Sequence, residues 1–157
     1  MTSVDILRMR LVGGVAGIAL VCELLSGCVS TAGGALGDLT RSTESAASDL
    51  ESVSLALSLY SDDRATGAVT STAIDDAITD LSSQQQTINT LTVGDSREHR
   101  ARSSTLSLLD AALDAGIRAK EAVDGVRGAS SVTAAHDQAK RTADRLQSWS
   151  TRLEKLW

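Results

Sequence analysis

From residue 38 to the end, the chain places apolar and small residues at alternating intervals of four and three, and no proline interrupts them. That rhythm lays one stripe along an α-helix of 3.6 residues per turn. Leu39, Thr43, Ala46, Leu50, Val53, Leu57 and Tyr60 form a first stripe, and Ile74, Ala77 or Ile78, Leu81, Gln85, Ile88 and Leu91 a second. Thr105, Leu109, Ala112, Gly116, Ala119, Val123 and Val126 form a third, widened by Leu108, Leu113 and Ile117. Val132, Ala135, Ala139, Thr142, Leu146, Trp149, Leu153 and Leu156 carry the fourth. Amphipathic helices joined by short turns bury their stripes against one another, so the expected fold is all-α. It is an up-down-up-down four-helix bundle over residues 38–157, antiparallel with coiled-coil-like seams. Heptad spacing equally suits a coiled coil between copies, and the sequence leaves a homo-oligomer open.

Punctuation between the stripes supports this division. Asp38 is a candidate N-cap; Ser61 to Gly67 reads as a polar turn with Gly67 ending the first helix. Thr70 to Thr72 cap the second helix, Gly94 stops it, and Asp95 with Glu98 stands at capping-box spacing for the third. Gly128 closes that helix, and Ser130 or Ser131 opens the fourth. Gly116, in mid-helix, costs about 1 kcal/mol relative to alanine, which a close helix crossing would justify. Val53 to Tyr60 alternates like a strand, but its Leu and Ala content and lack of Gly favour helix. On that helix Leu55 and Leu59 project opposite to Leu57, either packed within the domain or forming a patch for a partner or second copy.

Ahead of the stripes lies a segment of another kind. Arg8 and Arg10 precede an uncharged, largely apolar run from Leu11 to Cys22, the layout of an export signal. As a helix this run spans roughly 18 Å, short of the ~30 Å hydrocarbon core a permanent anchor crosses. Leu25-Ser26-Gly27-Cys28 follows directly. This resembles the lipobox of bacterial lipoproteins, with Leu at −3, small residues at −2 and −1, and the modified cysteine; Glu23 departs from the family's usual uncharged run. The resemblance covers only residues 1–28. It implies that Leu25, Ser26 and Gly27 are read by the signal peptidase, that residues 1–27 are removed, and that the Cys28 thiol carries a diacylglyceryl group. An ordinary secretory leader or a short amphipathic anchor is the alternative. Residues 28–37, rich in Gly, Ser and Thr, are expected to be a flexible tether reaching at most about 30 Å. With Cys22 cleaved away and Cys28 lipidated, no disulfide is expected in the mature chain.

The body beyond Cys28 is roughly 130 residues, the size of one domain. A net charge of −5 argues against nucleic acid as a general partner. No Phe, one Tyr and two Trp mean a core of Leu, Val, Ile and Ala. The two histidines, His99 among arginines and His136 beside Asp137, read as solvated. Neither belongs to a Glu-x-x-His pair, a Ser-His-Asp set or a metal-ligand spacing. Asp62-Asp63 and Asp75-Asp76 with Asp80 match no calcium loop and read as solvated acidic faces. No catalytic residue, metal ligand or cofactor is therefore expected. A small-ligand carrier or enzyme is the rival, with a pocket inside the bundle near Gly116, Gln85 and Thr142.

Anchor and topology together predict an orientation. With Cys28 in a membrane and helices alternating in direction, the turn before the third helix and the end of the fourth face the bilayer. Those places carry Arg97, Arg100, Arg102, Arg152, Lys155 and Trp157, candidate membrane-proximal contacts, while the rest of the body is acidic. The function expected is that of an extracytoplasmic, lipid-anchored protein acting by contact with the membrane surface or an envelope protein partner. It would sit on the outer face of the cell membrane, or in the outer membrane of a diderm. A phage- or prophage-encoded exclusion or immunity lipoprotein is one variant of that class.

Overall fold

The computed structural model describes residues 33–126 and 130–156. The leader, the lipobox residues Leu25, Ser26, Gly27 and Cys28, the start of the tether, Gly128 and Trp157 lie outside the described residues. Among the described residues there are four helices and no strand: α1 (Gly34–Ser61), α2 (Gly67–Thr90), α3 (Ser96–Val123) and α4 (Val132–Glu154). The strand-like alternation from Val53 to Tyr60 is helical, with Val53 and Leu57 fully buried and Leu55 61% exposed.

Local chemistry sets the ends of the helices, in three places differently from expectation: the starts at Gly34 and Gly67, and the end of the third helix at Val123, ahead of Val126 and Gly128. α1 begins at Gly34, four residues before Asp38, so residues 34–37 are its first turn and not tether. Leu36 and Gly37 are buried and the Thr40 hydroxyl donates to the Leu36 carbonyl at 2.9 Å. Burying one leucine outweighs the weak helix propensity of the Gly-rich start. Gly67 opens α2 instead of closing α1, because the Thr66 side chain accepts the Val69 N–H and caps the new helix. The Asp95 cap stands as expected, accepting from the Arg97 and Glu98 N–H groups at 2.7 and 2.8 Å. Glu98 reaches back to the Gly94 N–H. α3 stops at Val123, where Gly125 takes a left-handed φ of 67° and the Val126 N–H folds back to the Glu121 carbonyl. Ser131 caps α4 through the Ala134 N–H at 3.2 Å.

The four stripes meet in one core. Leu39, Leu50, Leu57, Ile74, Leu81, Ile88, Leu109, Leu146 and Leu153 are fully buried, interleaved with alanines and, among the described residues, without a buried aromatic ring. Each such side chain contributes about 1.5–3 kcal/mol on burial. α1 touches all three other helices, α2 packs on α3 and α3 on α4, whereas α2 and α4 do not touch among the described residues. The buried face of α3 explains the short α1–α3 diagonal, since Ala101, Ala112, Ala115, Gly116 and Ala119 let backbones approach. A Cβ built on Gly116 would stand 2.9 Å from Ile78 Cγ1 of α2, so the glycine admits a close crossing. Ile117, expected to widen the third stripe, is 48% exposed, because the small neighbours Ala115 and Gly116 turn inward in its place.

Polar pairs run along the seams. Between α1 and α2, Gln84 Nε2 donates to Asp49 at 2.8 Å and to Ser45 at 3.0 Å. Between α2 and α3 the partners are Ser71 with Asp124, Asp75 with Lys120, Gln85 with Asp110, and the Leu91 carbonyl with Arg102. Between α3 and α4 they are Arg97 with the Leu156 carbonyl, Thr105 with Trp149, and Asp114 with Gln138. No described helix is long and apolar enough to cross a membrane.

Candidate functional site

The first turns of α3 and the last turns of α4 form the walls of an open groove of about 550 Å³. Ala101, Trp149 and Leu156 give it an apolar floor, and Arg97, Arg100, Arg152 and Lys155 stand around it with Ser104. Helical spacing explains the gathering. Arg97, Arg100, Ala101 and Ser104 are three and four apart on α3, as are Trp149, Arg152, Lys155 and Leu156 near the end of α4.

Trp149 is held from both sides. Its Nε1–H donates to the fully buried Thr105 hydroxyl at 2.9 Å, and the Arg152 guanidinium carbon lies 5.6 Å from the indole centroid, a cation–π arrangement. Arg152 Nε also donates to the Ser148 carbonyl at 3.2 Å, and Arg97 Nη1 to the Leu156 carbonyl at 3.2 Å. A second groove of about 430 Å³ shares Ser104, Trp149 and Arg152 with the first and adds Ser103, Ser107, Leu108 and Arg145.

No carboxylate among the described residues lies within ion-pairing distance of Arg97, Arg100, Arg152 or Lys155. By contrast Arg41, Arg118 and Lys120 each have an aspartate partner. Asp95 senses the cluster. Its carboxyl is held below the usual range first by the Glu98 and Arg97 N–H groups and then by the Arg97 and Arg100 charges. Asp95 and Glu98 are thus engaged with the start of their own helix and are not part of the groove wall.

Of the six expected membrane-proximal residues, four line this groove. Arg102 does not: its Nη1 donates to the Leu91 carbonyl at 2.9 Å and closes the C-terminal end of α2. Trp157 is outside the described residues. The stripe pattern puts Trp149 in the core and misses its other role: it is only half-buried and floors both grooves. Ser103, Ser104, Ser107 and Arg145 were also missed. Their signal, a run of hydroxyls on one face of α3 beside an arginine of α4, exists only once the two helices are placed side by side.

The remaining candidates stand apart. Leu55 is exposed and Leu59 is half-buried. His99 is exposed, and His136 Nδ1 is 3.3 Å from Asp137 on a cleft between α4 and α1. Gly116, Gln85 and Thr142 do not converge on a pocket. Ile78 fills the space before Gly116, Gln85 bonds to Asp110 at the surface, and the Thr142 hydroxyl donates to the Gln138 carbonyl. Among the described residues no three His, Cys, Asp or Glu side chains are grouped to hold a metal ion.

No protein-family model, curated protein or solved structure matches the chain.

Proposed function

We propose that the protein is an extracytoplasmic, lipid-anchored helical bundle that acts by contact at the cell-envelope membrane. Cys28 is the lipidated residue after removal of residues 1–27, and the four helices run up-down-up-down. That direction accords with the seam pairs, in which residue numbers fall along one helix as they rise along its neighbour: 71, 75 and 85 of α2 and its C-cap residue 91 face the C-cap residue 124 of α3 and 120, 110 and 102 within it. In such a bundle the start of α1, the α2–α3 turn and the end of α4 share one end, next to the tether. Arg97, Arg100, Arg152 and Lys155 then face the anionic bilayer, and the acidic remainder faces outward.

The observation that supports this reading most is the convergence of those four cations around an amphipathic indole at that end. Basic residues near an anionic leaflet contribute about 1 kcal/mol each, and Trp favours the interface. Leu55, exposed on α1 one turn from half-buried Leu59, is the candidate apolar contact for an envelope protein partner or a second copy.

Metabolic labelling with a fatty acid tests the anchor. Label is expected on the native chain and lost in Cys28→Ala; an unlabelled native chain, or one retaining residues 1–27, would remove the reading. Sedimentation at two concentrations, native against Leu55→Asp, reads self-association through the exposed leucine. A concentration-dependent species in the native chain alone would assign Leu55 to a homo-oligomer.

A further inference from the structure

The cationic end of the bundle carries more than diffuse charge. Its groove has an apolar floor, a rim of cations and a fixed aromatic wall, and it continues into a hydroxyl-lined compartment. A ligand that uses all of this has an anionic group for the guanidinium ions, hydroxyl or ester oxygens for the serines, and an apolar portion for Trp149 and Leu156. Arginine forks match a phosphate in bidentate fashion, and a phosphate is more easily taken from water by guanidinium than by ammonium. Trp149 is already positioned by Thr105 and Arg152, so little side-chain freedom remains to be lost on binding.

We propose that the α3–α4 groove is a binding site for the phosphate headgroup of an anionic phospholipid. Arg97 and Arg152 grip the phosphate, Ser104 and its neighbours meet the glycerol oxygens, and Trp149 with Leu156 receives the first carbons of the acyl chains. Charge complementarity selects the occupant: among the described residues the groove wall holds four cations and no acid, in a chain of net charge −5. The inference rests on the membrane-facing orientation proposed above, and makes the contact a recognition of one headgroup class.

The test uses the full-length Cys28→Ser chain, which carries no lipid of its own. The indole N–H resonance of Trp149, assigned by its loss in Trp149→Phe, is followed during titration with dihexanoyl phosphatidylglycerol below its micelle concentration. Parallel titrations use dihexanoyl phosphatidylcholine and inorganic phosphate. A saturable shift with the anionic lipid, at least tenfold tighter than with either control, is expected. Arg97→Gln and Arg152→Gln should each weaken it about fivefold, as loss of one basic contact near an anionic headgroup does, whereas Arg141→Gln, exposed and outside both grooves, should not.

Equal response to the two lipids, equal response to inorganic phosphate, or equal weakening by Arg141→Gln would each overturn the proposal. Where a glutamine variant loses its helical circular dichroism, Arg97→Lys and Arg152→Lys replace it. Weakening by these charge-preserving variants supports bidentate recognition, and unchanged affinity overturns it. Failure of fatty-acid labelling at Cys28 leaves this titration standing, and a flat titration beside a labelled Cys28 removes the groove alone.

Discussion

Trp149 and Thr105 are joined across the α3–α4 seam by a 2.9 Å hydrogen bond from the indole N–H to a hydroxyl with no solvent exposure. The bond sets the angle of the indole and so the floor of both grooves. Thr105→Val keeps the volume and leaves a half-buried N–H without its acceptor. The expected cost is about 1–2 kcal/mol of stability, read by denaturant unfolding, together with a red-shifted and less polarised Trp emission.

Thr70 makes the opposite case. It is 1% exposed, and its hydroxyl finds no hydrogen-bond partner among the described residues. Thr70→Val removes a desolvated polar atom at constant shape. It should be neutral or stabilising by up to about 1 kcal/mol, so Thr105→Val should lower the thermal midpoint and Thr70→Val should not.

Gly116→Ala sets helix propensity against packing. Alanine gains about 1 kcal/mol over glycine in a helix interior. Its Cβ, however, would lie 2.9 Å from Ile78 Cγ1, which belongs to a stiff β-branched side chain and cannot swing aside cheaply. Overpacking of this kind costs about 1–3 kcal/mol, so net destabilisation is expected. The double substitution with Ile78→Ala should lose less than the sum of the two single losses, and a strictly additive cycle would show that the crossing is not tight there.

The seam carboxylates give stability a pH dependence of two signs. Burial is the main cause that raises the Asp49 carboxyl above its ordinary 3.8; the Gln84 hydrogen bond opposes it and the Asp80 charge adds to it. The folded state therefore holds this proton more tightly than the unfolded chain. Ionised Asp49 opposes folding above its folded value, and the opposition fades as pH falls through that value and is gone below 3.8. Asp49→Asn, which still accepts from Gln84, should raise the midpoint at pH 7 and leave it unchanged at pH 3.

Asp124 behaves conversely. The Ser71 hydroxyl first, and Lys120 second, hold its carboxyl below 3.8. Its contribution is present above 3.8 and lost as pH falls through the folded value. Asp124→Asn should lower the midpoint at pH 7, with the difference closing toward the acid end of the same titration.

The helix stripes were legible because burial against a common core demands the same residues that a four-and-three rhythm displays. Leu39, Leu50, Leu57, Ile74, Leu81, Ile88, Leu109, Leu146 and Leu153, all named in those stripes, are fully buried. Caps at Asp95 and Ser131 were legible for a related reason: a side chain that accepts from N–H groups two or three residues on is a local device. Helix starts at Gly34 and Gly67 were not, since a glycine reads as a breaker: Gly34 opens a helix because Leu36 is buried in the core, and Gly67 because Thr66 caps the turn that follows it. Arg102 looked like its neighbours Arg97 and Arg100, and only the position of the Leu91 carbonyl diverted it from the groove.

Periodicity and capping, properties of residues a few positions apart, determined by themselves that the described residues make four helices and which face of each turns inward. Tertiary structure decided what lies between the helices: that Ile78 fills the space before Gly116, that Trp149 leans on Thr105, and that Arg97 and Arg100 share a groove with Arg152 and Lys155. Arg97 and Arg100 are separated from Arg152 and Lys155 by most of α3 and α4, and no local pattern records which helix faces will adjoin. That choice belongs to the packing of the core, where small residues along α3 bring helix backbones together and leave the longer side chains at the rim.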